Sequence, residues 1–306
     1  MTMQQASAYS PSHITGFFEI LDNASDLTTR GSLGAGVSLA KGVKTNVSLR
    51  RGTRTRISIQ INGQTVRHAQ VSAYVAKKYL ALTGTKFSLT INHNFDVPMG
   101  TGFGTSGAGA LSLSLALNEA LKLDLSNLEA SQIAHEAEIV NKTGLGTVIA
   151  ETFGGLEVRL KPGAPGVGRI MEIPFRPDQV VFAATFGPIS TTHVLSTPWM
   201  RARINGNAHE LLWSLMSKPS SAGFVRLSRS FSDGIGLATH RVNSLLSVFD
   251  SLDIPASMLM MGEGVFSILP RNELESVMDL LCEKVSGAPY SVSSSIAPWG
   301  ARVLDS

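Results

Sequence analysis

The chain has 306 residues, 43% of them hydrophobic and 16% charged, with a formal net charge of +3. That is enough apolar sequence for a sizeable core in one or two lobes, and too little charge for a disordered polyelectrolyte. No stretch of about 18 apolar residues is present to span a membrane, and no basic segment followed by an apolar one opens the chain, so a cytoplasmic protein is expected.

The first ten residues are small and polar and read as a short strand or arm. Pro11-Ser12-His13 follows, and His13 has two readings: a substrate contact, or a hydrogen-bonding residue within a buried turn. Phe17, Phe18 and Ile20 read as core. Gly31-Ser32-Leu33-Gly34-Ala35-Gly36-Val37 has no helix after it to supply a dipole, so it reads as a strand approached closely by other backbone. Arg50, Arg51, Arg54 and Arg56 form the one basic cluster, but Ile57–Ile61 alternates directly after them. A solvated strand edge explains the cluster more simply than nucleic acid does, and no nucleic-acid partner is expected. Asn62-Gly63 suits a type I′ turn and joins Ile57–Ile61 to Gln64–His68 as a hairpin. Gln70–Leu82 reads as a helix with Val71, Tyr74, Val75 and Leu82 on one face, ended by Thr83-Gly84.

A strand over Phe87–Asn92 then leads into Asp96-Val97-Pro98-Met99-Gly100-Thr101-Gly102-Phe103-Gly104-Thr105-Ser106-Gly107-Ala108, and Leu111–Leu121 leads out as a helix. Glycines at alternate positions permit φ > 0 and bare the backbone N–H groups, with Thr105 and Ser106 as capping hydroxyls. Amides of a first helical turn, at the positive end of a helix dipole, make an anion site suited to a phosphate chain. Gly102–Gly107 fits G-x-G-x-x-G, yet a dinucleotide fold wants an acidic residue ending a second strand about 20 residues on. Another helix begins there instead, at Asn127-Leu128-Glu129-Ala130. A P-loop needs Gly-Lys-Ser/Thr, and this loop has no lysine. The plain alternative is a Gly-rich turn that only caps a helix.

Ser126 with Glu129 forms a capping box for a helix to about Asn141, with Ile133, Ala137 and Val140 as its buried stripe. Glu138 lies about 100° round from Ala137, at the edge of that stripe and towards the glycine loop. Glu151 stands four residues after Thr147, and is either a carboxylate able to serve as the base that Thr147 cannot be, if the segment is helical, or a surface residue. Gly154–Leu160 reads as a turn and strand carrying Arg159. The Pro/Gly run Lys161–Gly168 marks a lobe boundary. Beyond it come a buried strand over Gln179–Phe186, a loop over Gly187–His193, and helices near Asn207–Met216, Ser220–Ser230 and Ile235–Phe249. Met258–Met261 reads as core strand, Arg271–Val285 as a helix holding the lone Cys282 as a small core residue, and Tyr290–Ser294 and Ala301–Leu304 as short strands.

The run from Pro98 to Ala108 matches Pro-x-x-x-Gly-x-Gly-Ser/Thr-Ser-Gly/Ala-Ala, the ATP loop of the GHMP kinases. Pro11–Glu19, His135–Glu138, Lys142–Gly146, Gly262–Phe266 and Gly300–Leu304 follow in the order of that superfamily. The sequence resembles GHMP kinases over nearly its whole length, and within them the archaeal pantoate kinases. The resemblance implies a two-lobed α+β fold, with a ribosomal protein S5 domain 2-like ATP-binding lobe over 1–166 and a ferredoxin-like lobe over 167–306. It implies ATP and Mg²⁺ as cofactors, with Pro98, Gly100, Gly102, Gly104, Thr105, Ser106, Gly107 and Ala108 around the phosphates. Ser106 and Glu138 are then expected on Mg²⁺, Arg159 and His13 on the substrate, and Thr147 beside the accepting hydroxyl, where many relatives carry Asp. With Thr147, Ser106 and Glu138 as the catalytic set, the implied reaction converts (R)-pantoate to 4-phosphopantoate on the route to coenzyme A. The alternatives are another acceptor such as mevalonate 3-phosphate, or a nucleotide-binding protein that has lost catalysis. The expected partners are ATP and a small hydroxy acid, and a homodimer is left open.

Overall fold

The structure is a computed structural model that describes residues 3–189, 197–285, 287 and 289–305. Its first sheet is built on a long antiparallel pair, β1 (Gln4–Leu21) and β2 (Gly31–Arg51), with register shifts at Pro11/Ser12 and Thr15/Phe17. The N-terminal arm is therefore the start of one strand that runs on through His13, and the two irregularities re-aim the side chains between them. β3 (Arg56–Ile61) and β4 (Gln64–Thr65) form the expected hairpin, with φ of 48° at Asn62 and 80° at Gly63 as a type I′ turn requires. α1 (Gln70–Thr83) ends on left-handed Gly84, and β5 (Phe87–Phe95) joins β2 antiparallel and β3 parallel.

Next come α2 (Thr105–Leu121), α3 (Asn127–Asn141) and the short α4 (Thr147–Phe153), then β6 (Leu156–Lys161) and β7 (Arg169–Ile173). α2 is buried from Gly107 to Leu117 and carries Ala, Gly, Ser and Leu on all sides, the composition of a helix surrounded by protein. α3 has the expected capping box at Ser126 and Glu129. Ala137 is buried as expected, but Ala130 and Ala134 share its inward face, while Val140 is 46% exposed. Small residues let α3 approach α2 closely, and close approach outweighs the burial of one valine.

The second sheet, in the order β11-β8-β10-β9, comprises β8 (Gln179–Pro188), β9 (Ser257–Met258), β10 (Gly262–Pro270) and β11 (Tyr290–Ser295). Around it lie α5 (Pro198–Ser217), α6 (Ser221–Ile235), α7 (His240–Ser251) and α8 (Leu274–Lys284). The closing β12 (Arg302–Leu304) returns to the first sheet and pairs with β1. The boundary expected at 166/167 falls between β6 and β7, which pair with each other, and the chain changes sheet at Gln179. Residues 190–193 of the loop expected over Gly187–His193 lie outside the described residues. Cys282 is exposed rather than core, and the buried face of α8 is carried by Val277 and Leu281. The two sheets share a core in which Phe231 of α6 lies 6.3 Å from Phe17 and 5.8 Å from Phe18 of β1, ring centre to ring centre. No helix of the described residues is long and apolar enough to cross a membrane.

Candidate active site

The glycine loop takes the form its composition demands. Gly100, Gly102 and Gly104 have φ of 72°, 92° and 63°, and a Cβ on Gly102 would lie 2.7 Å from the Met260 carbonyl oxygen. Both the left-handed backbone and the close approach exclude a side chain there. The His13 N–H donates to the Phe103 carbonyl at 3.0 Å, pinning the loop to β1. Gly104 is the N-cap of α2, and no side chain caps the helix. Thr105 and Ser106, expected as caps, do not serve as such: the Ser106 hydroxyl donates to Glu138 Oε1 at 2.5 Å. The first-turn amides are thereby left for whatever enters from outside, at the positive end of a 17-residue helix.

That outside is a cavity of about 250 Å³ between the lobes, lined among others by Gly102, Ser106, Glu138, Thr147, His13 and, from the second lobe, Met260. A second cavity of about 280 Å³ adjoins it and shares Gly100, Thr105, Ser106 and Thr143 with the first. Ligand sites for molecules of moderate size span roughly 300–1,000 Å³, so the two together have room that neither has alone.

Glu138 is 2% exposed, which excludes a solvated helical glutamate. Its Oε1 also accepts from the Thr143 hydroxyl at 2.6 Å, and its Oε2 faces Gly144, where a Cβ would lie 2.3 Å away. Burial pushes the carboxyl pKa up, against the opposing pull of the Ser106 and Thr143 hydroxyls. A divalent cation beside it would relieve that penalty. The donors gathered here are hard oxygens, one carboxylate and two hydroxyls. Among the described residues no group of three His, Cys, Asp or Glu side chains is placed to hold a metal. This set therefore fits a cation that takes its remaining ligands from phosphate and water, as Mg²⁺ does.

Beneath the cavity lies a buried polar triad. His13 Nε2 is 3.2 and 3.3 Å from the two Glu157 carboxylate oxygens, and Arg159 Nη1 donates to Glu157 Oε1. All three residues are at most 1% exposed. The Gly-rich run of β2 makes room for them: a Cβ on Gly36 would lie 2.2 Å from His13 Nε2, and one on Gly34 3.0 Å from Arg159 Nη2. His13 reaches the cavity wall, but Arg159 does not line it. The Arg159 Nε faces Gly146 with no partner among the described residues. Burial lowers the Arg159 pKa while Glu157 raises it, and the ion pair keeps the guanidinium in place.

Thr147 opens α4 and lines the cavity, with its methyl turned to Gly104. Since the segment is helical, Glu151 sits one turn further along, and it is fully buried. Ser32, Thr143 and Glu157 were not among the expected site residues. Glu157 alternates with Arg159 on β6, a same-face pair whose charges mark it only once β6 is known to be buried on both sides.

Known proteins add to this geometry. The pattern described as GHMP kinases N terminal domain matches residues 68–155, which spans the glycine loop, Glu138, Thr147 and Glu151. A pantoate kinase from Thermococcus kodakarensis is 36% identical over 290 residues, covering 94% of each chain. A solved structure titled as a phosphotransferase related to the CoA biosynthesis pathway superposes with a TM-score of 0.88 at 32% identity, covering 98% of both chains. The mevalonate diphosphate decarboxylase of Staphylococcus aureus shares the fold, with a TM-score of 0.76 at 13% identity over 99% of both chains. With such identity along nearly its full length, the chain belongs to the pantoate kinase family of GHMP kinases.

Proposed function

We propose that this protein transfers the γ-phosphate of MgATP to the terminal hydroxyl of (R)-pantoate, giving 4-phosphopantoate. The observation that carries the reading is the uncapped N-terminus of α2 standing beside a buried carboxylate that lines the same cavity. The backbone amides from Gly102 to Ala108 hold the phosphates, and the nucleoside extends into the adjoining cavity past Met99 and Phe95. Ser106 and Glu138 hold Mg²⁺, with Thr143 fixing the rotamer of Glu138. When bound, Mg²⁺ neutralises charge on the transferring phosphoryl group. His13, steadied by Glu157, faces the acceptor, and Arg159 holds Glu157 in place from below. Thr147 lies beside the accepting hydroxyl and orients it.

Phosphoryl transfer passes through a loose transition state in which positioning and electrostatics carry most of the catalysis. A threonine that orients the nucleophile is therefore compatible with turnover. The test is a coupled assay of ATP consumption over a panel of hydroxy acids. Turnover with (R)-pantoate well above the other acceptors is expected. No turnover with pantoate beside clear turnover with mevalonate 3-phosphate would transfer the assignment, and ATP binding without turnover on any acceptor would remove the activity.

A further inference from the structure

Glu151 has no role in the chemistry above, yet its surroundings are unusual. It is 0% exposed, and neither carboxyl oxygen has a hydrogen-bond partner among the described residues. Both oxygens press on the underside of the glycine loop: a Cβ on Gly104 would lie 2.8 Å from Oε1, and one on Gly107 2.8 Å from Oε2. Thr147, one turn earlier on α4, completes the same platform, since its Cγ2 would lie 2.6 Å from a Cβ on Gly104 and 3.3 Å from one on Gly107. The loop thus rests on two side chains of α4 at i and i+4, which share one face of the helix.

α4 is itself held from behind by the closing segment of the chain. The Ala301 N–H donates to the Glu151 carbonyl at 3.0 Å. A Cβ on Gly300 would lie 1.9 Å from the Thr152 carbonyl oxygen, and one on Gly154 2.4 Å from that of Trp299. The Gly300–Leu304 motif therefore reaches the phosphate loop through α4, although it touches no part of the cavity.

We infer that Glu151 is a positioning residue: its neutral carboxyl is a strut that holds Gly104 and Gly107, and hence the phosphate-binding amides of α2, at a fixed height against α4. Neutrality follows from the surroundings, because among the described residues no donor bonds either oxygen, and an ionised carboxylate directly beneath the loop would repel the phosphates above it. Burial first, and then the nearby charges of Glu138 and Glu157, hold the carboxyl pKa well above the usual range. The loop lies between Glu151 and the cavity, which sets it apart from a proton acceptor in contact with substrate.

This inference rests on the reading that nucleotide phosphates seat on the loop, and the test separates the two. Binding of a non-hydrolysable ATP analogue with Mg²⁺ is measured by calorimetry on wild type and on Glu151→Ala, Glu151→Asp and Glu151→Gln, alongside the KM for ATP and kcat. Loss or withdrawal of the strut in the Ala and Asp variants weakens nucleotide binding and raises the KM by between about tenfold and a hundredfold, with a smaller change in kcat. Gln, isosteric and uncharged, rescues both. Should the Ala variant fail to fold, the Asp and Gln pair gives the same contrast. A Gln variant that binds the analogue normally but loses kcat would make Glu151 a proton acceptor and overturn the strut, as would Ala and Asp variants that bind as wild type does. Failure of wild type itself to bind the analogue would instead remove the reading of the loop.

Discussion

Three glutamates are buried within one turn or one strand of the cavity, and they live by different rules. On the wall, Glu138 accepts from Ser106 and Thr143 through one oxygen, and its other oxygen faces Gly144. On the floor, Glu157 is held between His13 and Arg159. Under the loop, Glu151 has no hydrogen-bond partner among the described residues. On the proposed reading the wall group receives a cation, the floor group is already paired with a guanidinium, and the third stays neutral. Burial alone does not say what an acidic side chain does; the neighbours that share its burial decide it.

Removing the wall carboxylate should have the largest effect. Glu138→Gln keeps the shape but loses the charge that holds the cation, and kcat in the coupled assay should fall about a thousandfold, the worth of several kcal/mol of transition-state charge stabilisation. Its melting temperature should stay the same or rise, because the variant no longer buries a carboxylate with a raised pKa. The floor should respond in the opposite sense. Arg159→Ala leaves Glu157 with only the imidazole, and breaking a buried pair by removing one partner costs about 3–5 kcal/mol, read from urea unfolding. The double variant Glu157→Gln/Arg159→Met should recover much of that loss, which a purely catalytic Arg159 would not allow.

A buried group away from the cavity sharpens the contrast through pH. His93 bonds Thr45 at 2.8 Å and Ser72 at 3.1 Å, and burial lowers its pKa to about 4 from 6.5. The unfolded chain takes up a proton at His93 first as pH falls. Its contribution to stability is therefore complete above pH 6.5 and is lost on the way to pH 4, by about 3 kcal/mol. Glu138 and Glu151 act the other way: their raised values favour the folded state at low pH, and that advantage is lost as pH rises through the folded-state values. Unfolding titrations of wild type and His93→Gln should diverge below pH 6.5, and parallel curves would show that His93 is not buried neutral.

What was legible in the sequence was local. The glycine loop, the Asn62-Gly63 turn and the Ser126 capping box each depend on residues within a few positions of one another, and each appears as expected. The floor depends on His13 meeting Glu157, 144 positions apart, and nothing in either segment announces the other. Arg159 reads as a substrate-facing residue by resemblance, and its burial against Glu157 becomes visible only when β6 lies between β2 and β7. The inward face of α3 was hidden for a different reason: alanines carry the helix contact, and a pattern that counts large apolar residues passes over them.

The central claim is that phosphates rest on the uncapped amides of α2 with a cation between Ser106 and Glu138. A crystal structure with a non-hydrolysable ATP analogue and Mg²⁺ tests it most directly. The account predicts phosphate oxygens against the amides of residues 104–107 and a metal held by the Glu138 carboxylate. A nucleotide seated elsewhere, with Ser106 still donating to Glu138 and the loop amides facing only water, would contradict it.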